Sequence, residues 1–200
     1  MNNLRLPPPS DRNRFEAAEP WPHLVIDDMM PQPARDRLAA ELAKLPFRWR
    51  RVREEFYEHE VCNFVELAVH VGGSLAALVD HLGSSTVRRA LAAVAGMPEV
   101  RLEAVTGHRL LDGDSIGLHS DASDERSSLR LVLCAATVAQ FEGGAIELYG
   151  EGGSGLISVP YVPGRGFLFR LSASSWHAVS AVRSPGGDPR FTVVATYGKP

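Results

Sequence analysis

The segments Gly117-Leu118-His119-Ser120-Asp121 and, more than fifty residues later, Ser175-Trp176-His177-Ala178-Val179 hold the residues best suited to chemistry in this chain. On a β-strand, His119 and Asp121 project from one face, and a second strand nearby brings His177 to meet them. Two imidazoles and one carboxylate then share one metal ion.

Two neutral nitrogens and one anionic oxygen on one face of an octahedron suit Fe(II) and leave the opposite face open for a co-substrate and dioxygen. The His-x-Asp pair alone is weak evidence. With 7 His and 10 Asp in 200 residues, chance supplies about 0.35 such pairs, so the argument rests on the elements that surround the pair.

From Val100 onward the chain runs in short apolar stretches broken by Gly, Pro and Asp. They are Arg101 to Leu111, Ile116 to Ser120, Leu129 to Thr137, Ala145 to Tyr149, Gly166 to Leu171, His177 to Arg183 and Phe191 to Tyr197. Many short strands at regular spacing predict a sandwich or barrel. The Gly-rich segment from Gly150 to Gly155 precedes another strand-like run rather than a helix, so it does not read as a phosphate loop.

The first half has a different texture. Residues 1–20 contain Pro7-Pro8-Pro9 among charges and read as a flexible N-terminal arm, with residues 21–200 as a single domain. Trp21 to Asp28 reads as a short strand. Pro31 and Pro33 introduce a helix from Ala34 to Leu45, with Leu38, Leu42 and Leu45 on one stripe. Phe47 to Val71 reads as a strand and then a loop that either folds over the site or simply connects. Helices follow over Ser74 to Leu82 and Val87 to Ala95, and none is expected after Gly96. Helices first and strands later predict a mainly β fold with helices packed outside one sheet.

Composition narrows the function classes. Hydrophobic residues make up 44% and charged residues 22% of a 21.7 kDa chain, which is globular. A net charge of -3 supplies no field for nucleic acid or an anionic membrane, and Arg48 to Arg53 is offset at once by Glu54, Glu55, Glu58 and Glu60. Two cysteines, Cys62 and Cys134, make a disulfide framework improbable. No signal-like start and no long apolar run is present, so a cytoplasmic location is expected.

The segment order resembles the prolyl-4-hydroxylase-like branch of the 2-oxoglutarate and Fe(II)-dependent dioxygenases, from about Trp21 to the C-terminus. The matching pieces are Arg109-Leu110 and Gly113, His119-Ser120-Asp121, the strand Arg130 to Leu133, and Phe141-Glu142-Gly143-Gly144. Val159-Pro160, Pro163 to Phe169, Trp176-His177-Ala178-Val179 and Arg190-Phe191-Thr192 follow in the same order. The resemblance implies a double-stranded β-helix, or jelly roll, with iron held by His119, Asp121 and His177. It further implies that Arg190 pairs with the distal carboxylate of 2-oxoglutarate and that Thr192 hydrogen-bonds the same group. A guanidinium is a natural bidentate partner for a carboxylate, and Arg190 and Thr192 share a strand face. Arg183 is the competing arginine, but it precedes the turn.

Three positions depart from the pattern: the turn between His177 and Arg190 is long, Leu110 stands where a tyrosine is common, and Ala145 stands where an acid is common. The implied reaction couples oxidative decarboxylation of 2-oxoglutarate, with dioxygen, to oxidation of a small molecule, in specialised-metabolite biosynthesis as one setting. Asp121 disfavours halogenation, which needs its place on the metal. A peptide or prolyl hydroxylase is the alternative. From another class come a jelly-roll metal hydrolase or isomerase and a non-catalytic binding module. Trp176 is expected as a buried support or pocket wall, His108 and Arg109 as co-substrate neighbours or plain strand residues, and Glu147 and Tyr149 as substrate contacts or solvated strand-edge residues. His23, His59 and His70 are expected to be structural or exposed.

Overall fold

A computed structural model gives the structure and describes residues 4–44, 50–54, 57–66, 73–121, 127–135 and 142–199. Its strands are β1 (His23–Ile26), β2 (Arg50–Glu54), β3 (Tyr57–Asn63), β4 (Arg101–Leu110), β5 (Ser115–His119), β6 (Ser127–Cys134), β7 (Glu142–Gly143), β8 (Ile146–Tyr149), β9 (Leu156–Val159), β10 (Gly166–Arg170), β11 (Trp176–Val179), β12 (Val182–Arg183) and β13 (Arg190–Gly198). The helices are α1 (Arg12–Glu16), α2 (Gln32–Leu42), α3 (Gly73–Gly83) and α4 (Ser85–Val94).

One curled antiparallel sheet runs in the order β1-β10-β6-β13-β4-β3-β5-β11-β8-β9. Strand β3 turns the corner. Its residues 60–63 pair with β4 while Tyr57 and Glu58 pair with β5, so the sheet folds into two facing halves. The small β7–β12 pair closes one end. This is the jelly-roll arrangement that the resemblance implies, and a form of the sandwich or barrel expected from the strand spacing.

The larger half is buried on both faces, which explains why β6 and β13 read as nearly continuous apolar runs. Along β6, Leu129, Leu131 and Leu133 pack toward the helices with Val193, Ala195 and Tyr197 of β13. Val132 and Val194 point the other way, into the space between the halves, with Phe167 and Phe169. Alternation thus assigns each strand residue to the helix layer or to the interior.

The helix layer forms from ordinary signals. Ala34, Leu38, Ala39 and Leu42 make the buried stripe of α2. Its Glu41 carboxylate accepts the Ser74 and Leu75 amides at 2.7 and 2.9 Å, satisfying the orphan donors at the start of α3. Ser84 caps α4 by accepting from the Val87 amide. Among the described residues no α-helix follows residue 96, and no helix is long and apolar enough to cross a membrane.

Several details differ from the sequence reading. The described part of the expected arm, residues 4–20, is packed: Phe15 is fully buried, Leu4 joins the helix-side core, and Glu16 binds Arg170. Phe15 supplies the apolar anchor that the proline run concealed. Helix α2 ends at Leu42, earlier than the leucine stripe predicts. The stretch His177 to Arg183 divides into β11 and β12, which belong to different sheets. Within residues 47–71, β2 and β3 form a hairpin on the sheet, while residues 47–49, 55–56 and 67–71 lie outside the described residues.

Candidate metal centre

His119 is the last residue of β5, and β11 pairs directly with β5, so His119 and His177 face each other in register. Their ring centroids are 4.3 Å apart. The strand ends at His119, so Asp121 is delivered by the chain just beyond it rather than by strand alternation. Its carboxylate oxygens lie 3.7 Å from His119 Nε2 and 3.3 Å from His177 Nε2. One ligand atom from each of the three residues lies within 4.8 Å of the others.

Both histidines are oriented alike. Nδ1 of His119 sits 2.8 Å from the Gly117 carbonyl and Nδ1 of His177 sits 2.9 Å from the Ser175 carbonyl. A carbonyl only accepts, so each Nδ1 donates to it, and each Nε2 is turned toward Asp121. Backbone oxygens that fix the tautomer of a ligating imidazole are a common feature of metal sites. Behind His177, Phe169 packs edge-on at 5.1 Å and Trp21 at 6.4 Å.

The protonation states suit a cation. Burial, and then the neighbouring His177, lower the His119 pKa and keep its ring neutral. For Asp121, burial works to raise the carboxyl, but the His177 hydrogen bond and the Arg130 charge outweigh it and hold it well below the usual carboxylate range. Two imidazole nitrogens and one ionised oxygen fit a divalent first-row metal such as Fe(II). The residues present therefore fit the ion that the spacing implies.

Arg190 begins β13 and is 2% exposed. Its Nε donates to the Gly144 carbonyl at 2.8 Å, its guanidinium lies 4.9 Å from the centre of the Tyr161 ring, and it has no carboxylate partner among the described residues. Arg183, the competing arginine, is exposed on β12. Arg190, Thr192, His119 and His177 line one cavity of about 60 Å³, together with Arg130 and His108. The Gly143-Gly144 turn supports this end, because a Cβ on Gly143 would stand 2.1 Å from the Ala181 carbonyl oxygen and its φ is +71°.

The weaker candidates separate clearly. His108 lines the cavity and stacks on the buried His59 with centroids 5.0 Å apart. Burial lowers these two rings to about 3 and about 4 respectively. Arg109 turns away to pair with Glu60. Trp176 is 36% exposed and lies on the opposite face of β11 from His177, so Trp21 and Phe169 provide the aromatic support expected of it. Glu147 and Tyr149 alternate with the buried Ile146 and Leu148 and hydrogen-bond each other on the outer face, not in the cavity. His23 is half-buried against the Trp21 carbonyl, and His70 lies outside the described residues.

Two site residues carried no signal recognised in the sequence. Arg130 binds Asp121 from β6, and the alternation Arg130-x-Val132-x-Cys134 was the available clue to its inward direction. Tyr161 lies under Arg190, with its hydroxyl donating to the Phe191 carbonyl at 2.6 Å. Leu110, which stands where a tyrosine is common in the pattern it resembles, is fully buried directly across from Arg190.

No family model matches the chain, and no curated protein sequence matches it. Solved structures do. An oxidoreductase of the 2OG-Fe(II) oxygenase family from Burkholderia pseudomallei shares 15% identity, with 96% of this chain and 91% of that chain covered and a TM-score of 0.71. A Pseudomonas putida prolyl-4-hydroxylase shares 17% over 96% and 98%, also at 0.71. The non-heme alpha-ketoglutarate-dependent epimerase SnoN of nogalamycin biosynthesis shares 14% over 96% and 82%, at 0.72. With its strand order, its curled two-faced sheet and these likenesses together, the chain has the double-stranded β-helix fold of the 2-oxoglutarate and Fe(II) oxygenases.

Proposed function

We propose that this chain is a 2-oxoglutarate- and Fe(II)-dependent oxygenase that oxidises a small molecule. The observation that carries the reading is a cavity with His119 and His177, beside Asp121, at one end and at the other the buried Arg190 guanidinium, which has no carboxylate partner among the described residues. Burying an unpaired cation is costly, so Arg190 is best explained by a ligand that brings the missing anion. A hydrolase or isomerase that works through the metal alone has no use for it.

In this reading His119, Asp121 and His177 hold Fe(II), which when bound supplies the oxygen activation and C–H oxidation chemistry. The protein's own groups place and enclose. Arg190, with Thr192 beside it, would take the distal carboxylate of 2-oxoglutarate. Val132, Val194, Ile146 and Phe169 give the cavity dry walls, and the Nδ1 hydrogen bonds keep both imidazoles in register. A cavity with mostly apolar walls and a few convergent polar groups suits a small-molecule substrate.

The reading is tested by incubating protein with Fe(II), 2-oxoglutarate and air and measuring succinate by NMR. Slow succinate release that His119→Ala abolishes is the expected result. Metal-loaded protein that leaves 2-oxoglutarate untouched, and whose melting temperature 2-oxoglutarate does not move, overturns it.

A further inference from the structure

The charge count of the cavity leads beyond the co-substrate to the substrate. Among the described residues, the charged side chains at the cavity are Arg130, Arg190 and Asp121. Farther out, Arg51 is shared between Asp114 and Glu58, and Arg109 is paired with Glu60. His59 and His108 are neutral at physiological pH. At the cavity itself, the described residues thus present two guanidinium groups and one carboxylate, one positive charge in excess. A divalent metal and dianionic 2-oxoglutarate cancel each other, so the surplus survives loading.

Its location is specific. Arg190 is assigned to the distal carboxylate. Arg130 sits at the metal end, paired across the sheet with Phe169 and Thr196. Along β6 the same face carries Val132 and then Cys134, and Cys134 lies opposite Thr192 near Arg190. Four residues of strand put Arg130 and Cys134 about 13 Å apart. The two cations therefore stand toward different ends of one cavity wall with Val132 between them, and Arg130 is the one beside Asp121.

Arg130 is also incompletely satisfied. Nη1 binds Asp121 Oδ2, but Nε is enclosed with no hydrogen-bond partner among the described residues, and the side chain is 24% exposed. A metal ion would share the Asp121 carboxylate and weaken its hold on the guanidinium.

Resting on the proposed oxygenase reading, we propose that Arg130 recognises an anionic group on the primary substrate, making that substrate a small carboxylic acid or comparable oxyanion rather than a neutral molecule. Arg130 then has two duties: it holds Asp121 before loading and orients the substrate acid beside the metal afterwards. The fork geometry of a guanidinium serves both, because its two edges present separate donors.

The test uses full-length protein loaded anaerobically with Fe(II) and 2-oxoglutarate, with phenylacetate and hexanoate compared against their primary amides. Binding is read from perturbation of the metal and 2-oxoglutarate absorption and from ligand-observed NMR. The expected result is an acid preference of at least about tenfold, the size of a charge-assisted hydrogen bond. Arg130→Lys keeps most of it, and Arg130→Met abolishes it, read as the acid-to-amide affinity ratio within each loaded variant. Arg130→Gln replaces the methionine variant if that one does not fold. Equal binding of acid and amide, no binding of either acid, or an acid preference that survives loss of the charge overturns the inference. Failure of 2-oxoglutarate itself to bind the wild-type protein instead overturns the oxygenase reading, so the two failures are distinguishable.

Discussion

Replacing Arg190 with methionine separates a functional cation from a structural one. The side chain is 2% exposed, with one hydrogen bond at 2.8 Å to Gly144, the Tyr161 ring at 4.9 Å and no carboxylate among the described residues. Burying the charge costs several kcal/mol. The carbonyl contact returns about 1.5–3 kcal/mol and the ring contact about 0.5–2 kcal/mol. Methionine removes both the cost and the returns and fills similar volume, so Arg190→Met is expected to be neutral or to stabilise the ligand-free protein by up to about 2 kcal/mol. For a chain of this length that is a rise of zero to about 8 °C in melting temperature. The same change removes a desolvated bidentate partner and weakens 2-oxoglutarate binding about thirtyfold or more.

The assay is thermal unfolding followed by circular dichroism, with Mn(II) present and 2-oxoglutarate absent or in excess. In wild-type protein, 2-oxoglutarate at about 100 times its Kd adds about 2.7 kcal/mol of stability. The variant is expected to start as stable or more so and to gain little. A variant that melts well below wild type yet keeps the full 2-oxoglutarate shift would refute the reasoning, because Arg190 would then be a structural cation.

Other perturbations follow from the geometry. Gly107→Ala places a Cβ 2.1 Å from the Phe64 ring and is expected to cost about 1–3 kcal/mol; Phe64→Leu in the same chain should cost less than the two changes summed, measured by urea unfolding. Tyr161→Phe leaves the Phe191 carbonyl without its 2.6 Å donor and is expected to cost about 1–2 kcal/mol in the same assay. Stability should also fall with acidity. The rings of His59 and His108 are lowered to about 4 and about 3, so below the ordinary value of 6.5 the unfolded chain binds protons that the folded chain refuses. Each ring contributes a loss of up to about 1.4 kcal/mol per pH unit from 6.5 down to its folded value. His108→Gln should flatten the curve, and an unchanged slope would count against a buried neutral ring.

Much of this was readable from residue order. Strand runs broken by Gly, Pro and Asp marked the sheet, and the leucine stripe marked α2, because alternation and helical period are local properties. The spacing of His119, Asp121 and His177 pointed to a shared ion, though β5 stops at His119 and Asp121 arrives from the chain beyond it. Local pattern could not show that Phe15 pulls residues 4–20 onto the core, since the proline run dominates that stretch. Nor could it orient Trp176, whose face depends on the register of β11 against β5. Arg130 was hidden for a related reason: on a strand buried on both faces an arginine gives no sign of its partner, and Asp121 meets it only when the sheet curls.

The most direct measurement is an anaerobic titration of metal-free protein with Fe(II) and then 2-oxoglutarate, followed by visible absorption, with His119→Ala and Asp121→Ala alongside. The account predicts a weak charge-transfer band that saturates with 2-oxoglutarate in wild-type protein and is absent from both variants. Wild-type protein that binds Fe(II) but develops no band, or variants that keep it, would contradict the assignment of this cavity to iron and 2-oxoglutarate.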